Sequence, residues 1–386
     1  MILCLLIENK IKPVGLLSRN ALKLILNLRK NMPYKAISRI GEFGLINKIN
    51  TLAESTYQPV PELLMGIGDD CAIFKPSGKF LQVSTTDLLA EQVHFNLLTT
   101  PLKHLGYKAI SVNVSDICAM NALPRYSLIS IAIPPSFSIE MIEELYKGMS
   151  DAAKEYGLAI AGGDTSSSQS GLLISVSMIG EVSSEQVTKR SGARPGELLC
   201  VTGSLGAATA GLKLLMRDKE IMLEHIENNE PYNQIIIADL KEYTEVIQNQ
   251  LLPLARLDII KFFHSRNIQP TSMIDISDGL ASELCHICRC SKIGALINER
   301  HIPINPSTRL IADEMHEDVM TWALTGGEDY QLLFTIHNND YETIANNKEI
   351  SIIGFTTAPD DGIYLSDISG MRIDLSSIKG FDHFST

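Results

Sequence analysis

No apolar run in this chain approaches the roughly 20 residues needed to span a membrane. No G-x-x-x-x-G-K-[ST] loop occurs, and Gly66-Ile67-Gly68 lacks the third glycine of a kinase or dinucleotide loop. A nucleotide would therefore have to be held by another fold. Basic charge is also scarce: 33 Lys and Arg stand against 45 Asp and Glu, a formal net charge of -12. Broad nucleic-acid binding needs a basic face, so that class is set aside. Cysteine is sparse and odd in number, seven in all. That gives no disulfide framework and fits reduced thiols in a cytoplasm. Cys285 and Cys288 share a helix face, but no second pair is spaced to complete a structural zinc site. The cysteines are expected as small core residues.

What is present is an enzyme-like mix of 386 residues, 45% hydrophobic and 20% charged, long enough for two domains. Met1 to Ile7 is apolar and is followed by Lys10, Lys12, Arg19, Lys23, Arg29 and Lys30. A signal peptide has its charge before the apolar run, so residues 1–36 read as a poorly ordered N-terminal extension. From Gly41 onward, apolar strands alternate with helical patterns. KFLQVSTTDLL reads as a strand running into a Thr-Thr-Asp turn. HLGYKAISVNVSDICAMNALP reads as a helix ending near Asn121. GLAIAGGDTSSS reads as a buried strand ending in a Gly-Gly-Asp turn, and SMIDISDGLASEL as a strand feeding a helix. The alternation predicts an α/β (α+β) fold. The polar stretch Ser183 to Arg194 marks a boundary between residues 37–186 and 187–386.

The acids carry the chemistry. Asp69 and Asp70 stand side by side in GIGDD, where two charges repel. Asp116 lies among Val112, Val114, Ile117 and Met120 in a helix that otherwise looks buried. There an unpaired carboxylate costs several kcal/mol or stays protonated. A structural Arg or Lys partner and a metal ion are equal explanations for it. Asp87 follows Thr85 and Thr86, a hard oxygen surface suited to Mg²⁺. Asp164 follows Gly162-Gly163, Asp275 and Asp278 flank Ser277, and Glu328 follows Gly326-Gly327. Each turn alone is ordinary loop chemistry. Several acids at the ends of different strands form a pool that calls for cations, and ligands bind at such ends in α/β folds.

Together these stretches resemble the thiamine-monophosphate kinase family, within the superfamily of aminoimidazole ribonucleotide synthetase and selenophosphate synthetase. They are GEFGLI, GIGDDCA, STTDLLAEQVHF, KAISVNVSDICAMNA, GGDTSSS, RSGARPGE, IDISDGLASEL, GGEDYQLLFT and KGFDHF, from Gly41 to Phe384. The resemblance implies two domains. An N-terminal ATP- and Mg-binding domain, with a mixed sheet and helices, would form a barrel-like dimer interface, followed by a C-terminal α/β domain. It implies that Asp70, Thr85, Thr86, Asp87, Asp116, Asp164, Asp275 and Asp278 hold several Mg²⁺ ions. It places ATP against Tyr146, Gly163, Arg190 and Ser277, and thiamine phosphate against His94, Glu328 and Phe381. Outside these motifs, His94, Arg190, Tyr146 and Phe381 would read as surface or packing residues. The serines after Asp164 depart from the family's frequent Thr-Arg and remove a phosphate-contacting Arg at that place.

The implied activity is phosphorylation of thiamine monophosphate by ATP in a cytoplasmic homodimer. The acceptor brings its own nucleophile, an ionised phosphate oxygen, so no general base is required. Two alternatives stand beside this reading. One is another ATP-using enzyme of the superfamily, like aminoimidazole ribonucleotide synthetase. The other is a catalytically silent nucleotide-binding regulator.

Overall fold

The computed structural model describes residues 63–65, 69–75, 79–227 and 243–378. These belong to one compact unit. The N-terminal extension, Gly66 to Gly68 and Phe381 lie outside the described residues.

Six strands form a first sheet: β1 (Leu63–Met65), β2 (Ala72–Phe74), β3 (Phe80–Ala90), β4 (Leu123–Ile133), β5 (Ala159–Ser167) and β6 (Leu173–Ser183). Their order is β1-β2-β3-β6-β4-β5, and every pair is antiparallel except β4–β5. A parallel pair needs a crossover, and helix α2 (Ile139–Tyr156) supplies it. The Ser138 hydroxyl accepts from the Met141 amide at its start, and Gly157 ends it at φ 74°.

Helix α1 (Leu102–Ala119) connects β3 to β4 and is buried on every side. Leu105, Ala109, Ile110, Val114, Ile117 and Cys118 leave no polar face. It packs on β3 and β6 on one side and on β8 on the other. The helix therefore lies between the first sheet and a second one.

That second sheet has seven strands: β7 (Leu198–Thr202), β8 (Ser272–Asp275), β9 (Gly294–Asn298), β10 (Leu332–Ile336), β11 (Ile350–Thr357), β12 (Ile363–Ser366) and β13 (Arg372–Asp374). Their order is β13-β12-β9-β11-β7-β10-β8. β8 and β10 are buried at every residue, as strands covered on both faces are. Met273, Leu332 and Phe334 share a core with α1 and the first sheet. Ile274 and Leu333 face a separate core with helices α6 (Leu280–Ser291) and α8 (Val319–Thr325). Between β7 and β8 run α3 (Ala207–Glu227), α4 (Thr244–Leu251) and α5 (Leu257–Arg266). Helices α7 (Pro306–Met315) and α9 (Tyr341–Ile344) complete the described set. The mixed α/β class expected from the sequence is the one observed.

Two local expectations are corrected. Thr85-Thr86-Asp87 is not a turn: β3 stays paired with β6 as far as Ala90 opposite Leu173. Successive strand residues alternate in facing, so Thr86 is exposed on the face opposite Thr85 and Asp87, and its hydroxyl bonds the Val176 carbonyl. Nor do Gly162-Gly163-Asp164 end a buried strand. β5 runs through them to Ser167 and is exposed, because it is the sheet edge and pairs only with β4. Of the cysteines described, Cys71, Cys118, Cys200 and Cys288 are buried, Cys285 is partly buried and Cys290 is exposed. All six are free.

Helices α1 and α2 touch at Gly106 and Gly148, where a Cβ would run into the Leu145 and Lys103 carbonyl oxygens respectively. The clash would be with backbone, which cannot rotate away. Gly148→Ala is expected to destabilise the fold by about 1–3 kcal/mol. Thermal unfolding checks this, and an unchanged melting temperature would show that the helices can part at no cost.

Candidate active site

Asp70 lies just before β2, Asp116 in the last turn of α1 and Asp275 at the end of β8. One carboxylate oxygen from each meets the others within 4.8 Å. At an effective dielectric of about 20, two charges at that separation repel by on the order of 3 kcal/mol. Hydrogen bonds offset only part of this. The Thr85 hydroxyl donates to Asp116 Oδ2, and Ser115 Oγ donates to Asp275 Oδ2 at 2.6 Å. Burial first, and then the neighbouring carboxylates, push the Asp116 and Asp275 carboxyls well above the usual range. Asp87, whose charge adds to that on Asp116, is raised by burial to about 6. Among the described residues no Lys or Arg forms an ion pair with Asp116, so its structural-partner explanation falls away.

One cation does border the pool. Arg190 holds Asp70 through two bonds, Nε to Oδ2 at 3.0 Å and Nη2 to Oδ1 at 2.7 Å. Its amide donates to Asp69 Oδ2 at 3.2 Å, and its carbonyl accepts from Ser272 Oγ at 2.7 Å. Asp69 is still raised to about 7, by burial and then by Asp70. His286 adds no charge, since burial and then Arg190 and Arg289 hold it down at about 4. A buried set of oxygen donors with more negative charge than one guanidinium balances fits a hard divalent cation.

The other residues expected at the site fall in several places. Ser277 and Asp278 follow Asp275 after one residue, Ile276, and both amides donate to Glu283 Oε1. Asp164 and Gly163 lie on exposed β5, outside the close trio. Tyr146 lines an open 380 Å³ groove on α2 with Ile139, Ile142 and Glu143. His94 sits in the turn after β3, where its Nδ1 accepts from the Ala90 amide at 3.0 Å.

Glu328 belongs to a network that the sequence did not suggest. Its Oε1 pairs with Lys108 Nζ at 2.8 Å, and its Oε2 accepts from Gln250 Nε2 at 2.7 Å. Lys108 is a buried lysine within α1, and its position inside an apolar helix was the same signal that marked Asp116. Glu328 and Tyr330 take left-handed backbone, φ 67° and 49°, which is strained for residues other than glycine. Between them, Asp329 accepts from the Gly206 and Ala208 amides at the start of α3, at 2.6 and 3.1 Å. These anchors hold the loop in its strained form. Ser115, Glu283 and Asp329 were likewise missed as site residues, because their roles depend on partners distant in sequence or one turn away.

Residues 68–182 match the family described as AIR synthase related protein, N-terminal domain. The thiamine-monophosphate kinase of Bacillus subtilis (strain 168) is 32% identical over 352 residues, 89% of this chain and 99% of that protein. This chain belongs to the thiamine-monophosphate kinase family. The family member from Aquifex aeolicus (strain VF5) is 33% identical, over 90% of this chain and 99% of its own length. Among solved structures, AaThiL complexed with AMPPCP and TMP aligns at a TM-score of 0.74 and 30% identity, over 91% of this chain and all 100% of that one. The hydrogenase maturation protein HypE in complex with ATP, at 19% identity and TM-score 0.60, shares the fold.

The raised carboxyls give this family member a pH signature. A folded pKa above the unfolded value means the folded chain binds more protons, so the stability these groups contribute is fully present below about pH 4 and is lost as pH rises through the folded values. Asp87 at about 6 and Asp69 at about 7 place that loss between pH 4 and 7, and Asp116 and Asp275 extend it upward. In EDTA the melting temperature is expected to be higher at pH 6 than at pH 8 by roughly 3 °C or more. Saturating Mg²⁺ should shrink the difference. A flat profile in EDTA would mean that the acids are not repelling one another.

Proposed function

We infer that this chain transfers the γ-phosphoryl group of ATP to the phosphate of thiamine monophosphate, giving thiamine diphosphate and ADP. Membership of the thiamine-monophosphate kinase family carries the activity and both substrates. The meeting of Asp70, Asp116 and Asp275 is the observation that carries the mechanism. These three, with Asp87 near Asp116 and Asp278 three residues past Asp275, would hold Mg²⁺. Thr85 and Ser115 orient two of the ligand carboxylates through their hydroxyls. Bound Mg²⁺ supplies charge neutralisation between two anionic reactants and a fixed in-line geometry.

The remaining work falls to positioned side chains. Arg190, fixed at its amide and carbonyl, presents a guanidinium at the edge of the acids, where a polyphosphate would arrive. A phosphate oxygen of the acceptor forms the new bond to the γ-phosphorus, and the bond to the bridging oxygen of ADP breaks. No proton has to be removed from the nucleophile, so no general base is assigned. Glu328 would face the cationic thiazolium by way of its carboxylate, with Lys108 holding it in place. The chain would work as a homodimer of two-domain subunits, residues 37–186 and 187–386. The outer face of the first sheet supports this, since it exposes Phe80, Leu88, Tyr126 and Leu128 on an open sheet.

Purified protein with ATP, Mg²⁺ and thiamine monophosphate should form thiamine diphosphate, and free thiamine should not react. A comparable rate with free thiamine would sink direct transfer. Asp116→Asn keeps size and shape while removing one ligand charge. Turnover should fall roughly 100-fold or more, while metal-free stability holds or rises. Loss of stability with turnover of the folded fraction intact would remove Asp116 from the metal site.

A further inference from the structure

Asp275, one of the three converging acids, leads through Ile276 into Ser277 and Asp278 in a single short turn between β8 and α6. Backbone bonds fix its first half. The Ile276 amide donates to the Gln331 carbonyl at 2.7 Å, and the Tyr330 amide donates to the Ile276 carbonyl at 2.9 Å. The Glu328 amide donates to the Ser277 carbonyl at 2.8 Å. Gly327 allows this approach, since a Cβ there would meet the same Ser277 oxygen. The second half is held differently. Gly279 starts α6 with no side-chain cap. The amides of Ser277 and Asp278 donate instead to Oε1 of Glu283, at 3.2 and 2.8 Å, from the first turn of the helix.

We propose that Glu283 is a positioning residue, whose buried carboxylate fixes the Ser277–Asp278 turn and so sets Asp275 and Asp278 toward the cation and polyphosphate. The proposal rests on the kinase reading above. Glu283 is only 2% exposed and lies beside other acids, an electrostatically poor place for a residue that merely caps a helix. Its Oε1 instead accepts from two amides of the turn at once, in front of a helix whose N-cap glycine has no side chain to do so. Its other oxygen, Oε2, is buried without a hydrogen-bond partner among the described residues. Glu283→Gln can therefore keep Oε1 in place and change an atom that bonds nothing.

The test has two arms. In the metal-free protein, hydrogen exchange over residues 272–284 reads the turn with no substrate present. Glu283→Gln should keep the protection of the wild type, and Glu283→Ala should exchange about tenfold faster there. In the second arm, the Mg²⁺ half-saturation of turnover at fixed ATP should rise about tenfold in Glu283→Ala, the scale for losing a partner behind a metal ligand. Its kcat at saturating Mg²⁺ should stay within about threefold, and Glu283→Gln should track the wild type. If the alanine variant does not fold, Glu283→Asp replaces it, because its carboxylate stops one methylene short of the amides. Wild-type exchange and half-saturation in the alanine or aspartate variant overturn the proposal. So does a lowered melting temperature with half-saturation unmoved, or a glutamine variant as impaired as alanine. A wild type that fails to turn over thiamine monophosphate counts against the kinase reading, while the exchange arm still reads Glu283.

Discussion

The mutual repulsion of Asp70, Asp116 and Asp275 is the constraint around which the rest of this structure is arranged. Their oxygens lie within 4.8 Å, and the cost recurs for every pair. The protein answers with one guanidinium, two hydroxyl donors and raised carboxyl pKa values. None of these fully balances the charge. A site so built is unsatisfied by itself, and its donors fit a hard divalent cation.

Helix α1 makes the convergence possible. It is buried on all sides because it lies between two sheets. Its last turn therefore reaches residues of both halves: Asp116 accepts from Thr85 on β3, and Ser115 donates to Asp275 on β8. Lys108, about two turns earlier, ties the same helix to Glu328 in the loop before β10. One helix thus links the two sheets through packing and through charge. The loop at Glu328 keeps its strained backbone because Lys108, Gln250 and the start of α3 hold it from three directions.

Much of the site was legible in the linear chain. Asp116 stood out because a charge in an apolar helix demands a partner, and Asp70, Asp275 and Asp278 because acids at strand ends collect ligands. The Thr85-Thr86-Asp87 run was misread as a turn for the opposite reason. A polar Thr-Thr-Asp run looks like a turn, yet β3 needed those residues to complete its pairing with β6, and alternation then turned Thr86 away. β5 misled in a similar way. Gly162 and Gly163 read as turn residues but serve an exposed edge strand.

By itself the sequence determined the fold class, the run of strands and helices, and the identity of the acids. Those follow from local periodicity and from the cost of burying charge, both of which act within a few residues. Only the tertiary structure decided which acids meet, that Arg190 bonds Asp70 across 120 positions, and that Lys108 pairs with Glu328. Electrostatic coupling depends on distance in space, and pairing across sheets sets that distance where spacing along the chain cannot.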